Sequence, residues 1–144
     1  MILALYFLMV SIFTRIIKKE ILGHFVYEDD VCVAIMDAFP CIPGQTLVIP
    51  KVEVDYIFKL NEQTYDHLWK IAKRIAMALD NTFDTERTCV VVEGFEVPHV
   101  HIKLYPMPYK HPPLGSIISQ GKKASDAELE EMALRVKSAL QTIS

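Results

Sequence analysis

The sequence predicts an α+β domain in which about five antiparallel strands accompany a long central helix, a short N-terminal helix and a C-terminal helix. Three observations lead to this fold class. Polar and apolar residues alternate strictly over residues 99–105, which is the period of a half-buried strand. Apolar residues recur at helical spacing over residues 60–83. Shorter apolar runs lie on both sides of that helix and are bounded by proline, glycine or carboxylate residues.

Composition narrows the class of protein. The chain has 144 residues, enough for one domain with a substantial core. It is 51% hydrophobic and 23% charged, which excludes a disordered chain. Its net charge of −3 gives no basic footprint and argues against nucleic-acid binding. Cys32, Cys41 and Cys89 form no C-x-x-C pair, so they are expected to be reduced thiols in a cytoplasmic protein.

Residues 1–10 are interpreted as an apolar extension before a single domain over residues 11–144. The extension lacks the basic segment and the cleavage site of a secretory signal. A membrane-spanning helix needs about 20 apolar residues, and Arg15 comes too early, so a membrane is not an expected partner. Residues 1–8 are expected to be an upstream over-extension of the reading frame, with a peripheral anchor as the alternative.

The first half of the domain predicts one helix and three strands. Four apolar residues at helical spacing predict a short amphipathic helix that Gly23 ends; they are Ile12, Phe13, Ile16 and Ile17. A turn of three carboxylates over residues 28–30 separates the first two strands, because like charges repel and prefer water. The strands are expected over residues 24–27, 31–36 and 46–49.

Both longer helices carry capping signals. Asn61 is the expected N-cap of the helix over residues 60–83, and His67 is expected on the solvated surface of that helix. Ser125 and Glu128 form a capping box that opens the C-terminal helix. The core stripe of the first helix is Tyr65, Leu68, Ala72, Ile75 and Leu79, and that of the second is Leu129, Met132, Val136 and Leu140.

The strand over residues 99–105 is expected to pair with a strand over residues 88–92 through a tight connection at residues 93–95. Prolines cannot donate to a sheet, so Pro98 and Pro106 are expected to bracket the second strand. Its core face would carry Val100, Ile102 and Leu104, and its other face His99, His101, Lys103 and Tyr105. Two imidazoles beside an ammonium suit a phosphate-bearing ligand; a merely solvated sheet face is the alternative.

The run H-V-H-I-K-L-Y at residues 99–105 resembles the signature of the histidine triad (HIT) family of nucleotidyl hydrolases and transferases. Lys103 stands where that signature has its third histidine. The stretches at residues 11–20, 26–30 and 37–51 resemble the preceding family blocks in the same order. The resemblance extends from Ser11 to Leu140.

The resemblance implies a mechanism and a substrate class. His101 would attack the α-phosphate of a nucleotide, since neutral imidazole is a good nucleophile. His99 would support His101 through a backbone-linked hydrogen bond, and Asp37 would accept hydrogen bonds from the ribose. The substrate would be a nucleoside 5′-phosphoramidate or a dinucleoside polyphosphate. The purine pocket would be walled by Ile12, Phe13, Ile16, Ile35 and Leu47.

Departures from the family pattern bear on these expectations. A lysine at position 103 binds phosphate oxygens but is a poor proton donor at neutral pH, because the ordinary pKa of a lysine is about 10.4. Gln45 replaces a frequent pocket histidine and is expected to belong to the nucleotide site, and Phe95 replaces a frequent phosphate-binding glutamine. Ser11 and Thr14 stand where zinc-binding members have a C-x-x-C pair, so no metal site is expected.

No cofactor is expected to be required, although Mg²⁺ could accompany a polyphosphate. The resemblance implies a homodimer. The alternative functions are a catalytically weak nucleotide-binding module and a membrane-peripheral adaptor.

Overall fold

The computed structural model describes residues 1–143, without the side chains of residues 6–8. Five strands form one antiparallel sheet in the order β1-β2-β3-β5-β4. The strands are β1 Phe25–Glu28, β2 Cys32–Met36, β3 Thr46–Pro50, β4 Thr85–Val91 and β5 Ile102–Pro108. The helices are α1 Ile2–Met9, α2 Ile12–Ile17, α3 Glu62–Thr82, α4 Leu114–Ile117 and α5 Asp126–Gln141. The predicted α+β class is confirmed, and the predicted elements occur in the predicted order, with α1 and α4 in addition.

Local capping explains where the main helices begin. The Asn61 side chain accepts a hydrogen bond from the Thr64 backbone at the start of α3. Ser125 and Glu128 form the predicted capping box at the start of α5. Each cap satisfies backbone donors that have no partner inside the helix.

The main core lies between one face of the sheet and the helices α3 and α5. The predicted apolar positions of the histidine segment, Val100, Ile102 and Leu104, are all buried there. The predicted stripe of α5 is buried as well. In α3 the predicted stripe is buried except for Tyr65, which is partly buried. Ile71 and Ala78 are buried as well, because the helix packs on both the sheet and α5.

Helices cover both faces of the sheet. Phe13 and Ile16 of α2 pack against Val33, Ile35 and Leu47 on the face opposite the main core. Near the far end of β5, Ile117 of α4 packs on Tyr105 and Met107. The second face is therefore apolar wherever a helix covers it. The sequences of the short strands did not predict this cover.

The strand that carries the motif is shifted from its predicted position. It begins at Ile102 and continues through Pro106 to Pro108, so Pro106 does not end it. β3 pairs with β5 only at residues 102–104, and beyond them β5 pairs with β4 alone. A proline is tolerated there because one side of the strand has no ladder partner. The connection from β4 spans residues 92–101 and is not the expected tight turn.

One smaller expectation about the first half was wrong. The helix α2 ends at Ile17 and not at Gly23: Lys18 caps it and Lys19 has a φ of 63°. Gly23 instead permits close packing, since a Cβ there would lie 2.5 Å from Ile16 Cγ2.

The acidic turn and His67 are not simply solvated. Asp29 accepts hydrogen bonds from the Tyr27 hydroxyl and from the Cys32 backbone. The Nε2 atom of His67 lies 2.6 Å from Asp29 Oδ2. This contact ties the β1–β2 turn to α3. The turn lies where the three carboxylates predicted it, whereas the solvated position expected for His67 was wrong because its partner lies 38 residues away.

The apolar segment before Ser11 forms α1, which the sequence reading did not predict as a helix. Its residues Ile2, Leu3 and Leu5 are exposed, as is Met9. In the described part of the chain, every helix is too short or too polar to span a membrane.

Candidate functional site

A cavity of about 470 Å³ lies between α2, the neighbouring ends of β2 and β3, and the connection that precedes β5. This volume suits a small ligand. Nine of the ten predicted site residues line it, and His99 is the exception. They are Ile12, Phe13, Ile16, Ile35, Asp37, Gln45, Leu47, His101 and Lys103.

His101 presents one free ring nitrogen to the cavity. Its Nδ1 atom lies 2.7 Å from the carbonyl oxygen of His99, so Nδ1 carries the proton and donates it. Nε2 has no hydrogen-bond partner among the described residues, and its lone pair is available in the cavity. Burial lowers the pKa of His101 and the nearby Lys103 ammonium lowers it further, against the hydrogen bond to His99, which raises it. The imidazole is therefore neutral at physiological pH, as a nucleophile requires.

His99 is fully buried and uses both ring nitrogens. Nε2 lies 2.8 Å from the Pro50 carbonyl, to which it donates. Nδ1 lies 2.5 Å from Ser11 Oγ, which must then donate to it. Burial lowers the pKa of His99, so the ring is neutral in this arrangement. His99 was expected on the open face of the strand, but it is buried and contacts the Phe13 ring edge-to-face, with centroids 5.8 Å apart.

Ser11 and Thr14 belong to a hydrogen-bonded cluster with Glu53 and His99, which we call the anchor cluster. Glu53 Oε1 accepts from the Ser11 backbone at 2.5 Å and from Thr14 Oγ1 at 2.7 Å. Although burial raises the pKa of Glu53, these hydrogen bonds hold it below its ordinary range. The cluster joins α2 to the histidine segment by hydrogen bonds. Glu53 was missed because nothing near it in sequence signals the contact.

Asp37 stands at the end of β2, where it lines the cavity. Its Oδ2 accepts from Gln45 Nε2 at 2.7 Å, and its Oδ1 accepts from the Phe39 backbone at 2.8 Å. Burial raises the pKa of Asp37, while these hydrogen bonds and the Lys103 charge lower it. Gln45, itself buried, also accepts from the Cys41 backbone at 2.7 Å. The pair is held rigidly, and each carboxylate oxygen retains a second acceptor position.

Lys103 forms an ion pair with Glu93, which the sequence did not indicate as a site residue. Its ammonium lies 2.6 Å from Glu93 Oε1, and both residues line the cavity. Phe95, two residues after Glu93, lines the same cavity and is 90% exposed. No signal in the sequence pairs Glu93 with Lys103 beyond their opposite charge.

His24 was expected on the surface, but it lies in the cavity wall. Its side chain is 13% exposed, it lines the cavity, and its Nε2 lies 3.2 Å from Asp126 Oδ1. His111 is exposed, as expected.

Metal-ligand side chains gather in one place within the described residues: Asp29, Cys32 and His67 have ligand atoms within 4.8 Å of one another. The Asp29 oxygens already accept from Tyr27, Val31, Cys32 and His67. Burial raises the pKa of the Cys32 thiol to about 12, which disfavours the thiolate a metal would need. The group is accounted for as a hydrogen-bonded tie between the β1–β2 turn and α3.

Comparison with known proteins identifies the family of this chain. The model of the HIT domain matches residues 18–107. An uncharacterized HIT-like protein of Borreliella burgdorferi is 38% identical over 68 residues, which are 47% of this chain and about half (49%) of that protein. The purine nucleoside phosphoramidase of Escherichia coli is 31% identical over 100 residues, covering 65% of this chain and 84% of that protein.

A solved structure of similar shape is a hypothetical histidine triad nucleotide-binding protein from Sulfolobus tokodaii. It superposes with a TM-score of 0.81 at 24% identity and covers 91% of this chain and 92% of its own, so it supports the fold. The sheet, the paired histidines and the matched domain lead to one conclusion: this chain belongs to the HIT-domain family.

Proposed function

We propose that the protein is a nucleotidyl hydrolase or transferase that forms a covalent intermediate on His101. The observation that carries the proposal is the placement of His101. Its Nδ1 proton is committed to the His99 carbonyl, so the Nε2 lone pair faces the cavity beside the Lys103 ammonium. An imidazole held in this tautomer is a ready nucleophile toward phosphorus.

The shape of the cavity supports a nucleotide as the ligand. The apolar side chains of α2, β2 and β3 offer a surface for a flat base. Asp37 retains acceptor positions for ribose hydroxyls, and Lys103 offers an ammonium for phosphate oxygens. The E. coli relative, a purine nucleoside phosphoramidase, favours a purine nucleoside 5′-phosphoramidate. A dinucleoside polyphosphate is the second candidate substrate class.

The reaction proceeds in two displacements at phosphorus. In the first, His101 Nε2 forms a bond to the α-phosphorus and the P–N bond breaks. The electron pair of that bond leaves with the amine nitrogen, which takes a proton from water, since lysine is a poor acid at neutral pH. In the second, water attacks the phosphorus, the Nε2–P bond breaks, and the water proton is released. The products are the free amine, a nucleoside monophosphate and the original imidazole.

A second candidate function is nucleotide binding without efficient turnover. Its support is the residue at position 103, because a lysine held in an ion pair cannot readily protonate a leaving group. Homodimeric assembly and turnover without a metal stay predictions of the family resemblance, and a cytoplasmic location stays a prediction from the cysteine content.

Mass spectrometry of the protein mixed with an adenosine 5′-phosphoramidate tests the proposal. The expected result is a transient nucleotidyl adduct and release of AMP, both absent in His101→Ala. The matched control is His111→Ala, since His111 is exposed and lies outside the cavity lining. Intact substrate together with binding detected by calorimetry would instead establish the nucleotide-binding module. Turnover that survives in His101→Ala would overturn the assignment of the nucleophile.

A further inference from the structure

The charges that line the cavity are mostly negative. Among the described residues that line it, the carboxylates are Asp37, Glu93, Glu96 and Asp126, and Lys103 is the only lysine or arginine. Two histidines, His24 and His101, also belong to the lining, and burial lowers the pKa of His101, which keeps that imidazole neutral. An anionic substrate therefore depends on the single ammonium of Lys103.

Glu93 already holds that ammonium. The distance from Lys103 Nζ to Glu93 Oε1 is 2.6 Å, and the lysine side chain is only 16% exposed. A phosphate oxygen bound to the same ammonium would lie within about 6 Å of the Glu93 carboxylate, given ordinary hydrogen-bond lengths. Any further negative charge next to the reacting phosphorus is therefore repelled by the Glu93 carboxylate.

We infer that Glu93 is a specificity-determining residue. It lets Lys103 bind a singly charged phosphoryl group, and it discriminates between substrates by the charge of their leaving group. The inference rests on the proposed function and deepens it. A leaving group with an additional negative charge, such as a polyphosphate, is disfavoured. A leaving amine that carries a second, cationic group is favoured.

The physical basis is the interaction between unit charges at short range. Two unit charges a few ångströms apart in a partly solvated site change an equilibrium about fivefold or more. Glu93 belongs to the connection between β4 and β5, whereas the apolar wall belongs to α2, β2 and β3. When a nucleoside packs against that wall, its phosphoryl group and the leaving group lie on the side of the cavity that carries Lys103 and Glu93.

Three adenosine 5′-phosphoramidates of equal chain length test the inference. Their leaving amines end in a methyl group, in an ammonium or in a carboxylate. For the wild type we expect kcat/KM to fall in the order ammonium, methyl, carboxylate, by about fivefold at each step. Added salt should compress the series, since exposed charges are screened. In Glu93→Gln the differences should shrink to about twofold or less, while Glu93→Asp should retain the order.

The control is Glu96→Gln, because Glu96 lines the same cavity but has no ion-pair partner in the described part of the chain. It should preserve most of the order. An equal collapse in both variants would show that the total charge of the cavity, and not Glu93, sets the preference. Equal rates for all three substrates in the wild type would also overturn the inference.

Binding separates a failure of the inference from a failure of the proposed function. If no phosphoramidate is hydrolysed, the proposed function fails, and calorimetry with AMP and ADP still tests Glu93. The ratio of the ADP affinity to the AMP affinity should rise about fivefold in Glu93→Gln. An unchanged ratio would contradict the role of Glu93 whatever the outcome of the kinetics.

Discussion

His99 and His101 stand two positions apart, and their ring nitrogens have different partners. His99 donates to the Pro50 carbonyl and accepts from Ser11, so neither nitrogen is available. His101 donates to the His99 carbonyl and keeps its other nitrogen for the cavity. Both rings contact Phe13, with centroids 5.8 Å and 4.9 Å away. The difference teaches that partners, and not residue type or burial, separate an anchoring histidine from a nucleophilic one.

The largest expected effect separates the two histidines by activity. His101→Gln should lower the turnover of a phosphoramidate by about 10³-fold or more, because it removes the nucleophile. Its free energy of unfolding should fall by only about 1 kcal/mol, since one hydrogen bond is lost. Steady-state kinetics and urea unfolding measure the two quantities. Turnover within tenfold of the wild type would make His101 an anchor like His99.

The next effect separates them by stability. His99→Ala leaves a cavity and removes the partners of Ser11 and Pro50, so the free energy of unfolding should fall by about 3 kcal/mol. His111→Ala is the matched surface control and should change it by less than about 0.5 kcal/mol. Urea denaturation monitored by far-UV circular dichroism measures both. Equal stability of the two variants would contradict the anchoring role.

A smaller effect is expected from the residue that caps α2 and bonds His99. Ser11→Ala removes the N-cap acceptor and the donor to His99 Nδ1, which should cost about 1–2 kcal/mol of stability. Ser11→Thr keeps the hydroxyl and should restore most of it. Nitrogen-15 NMR of the histidine rings should show the Nδ1 resonance of His99 change in Ser11→Ala and return in Ser11→Thr. An unchanged resonance would mean that Ser11 does not bond His99 in solution.

The smallest effect concerns the pH dependence of His101. Burial is the main cause of its lowered pKa, with Lys103 as a further cause, so the wild-type kcat/KM should stay level as pH falls through the ordinary histidine value of 6.5. It should decline only at more acidic pH, where the imidazole becomes protonated. In Lys103→Met the acid limb should move toward higher pH, because the repelling ammonium is gone. A shift toward lower pH would show that Lys103 does not act on His101 through its charge.

Local patterns in the sequence determined much of this protein. The alternation over residues 99–105 correctly predicted which side chains face the core, and capping residues correctly predicted where α3 and α5 begin. Family blocks pointed to nine residues that line one cavity. These features are periodic or lie within a few residues of one another, so a single chain displays them without its neighbours.

The tertiary structure decided which side chains meet. Glu53 reaches Ser11 across 42 residues, His99 reaches Ser11 across 88, and His24 reaches Asp126 across 102. Glu93 lies ten residues from Lys103, and the position of the connection between β4 and β5 brings them together. Pro106 could enter a strand only because β3 stops pairing at Leu104. A side chain's face follows from the period of its own element, whereas its partner depends on how distant elements pack, which no local pattern encodes.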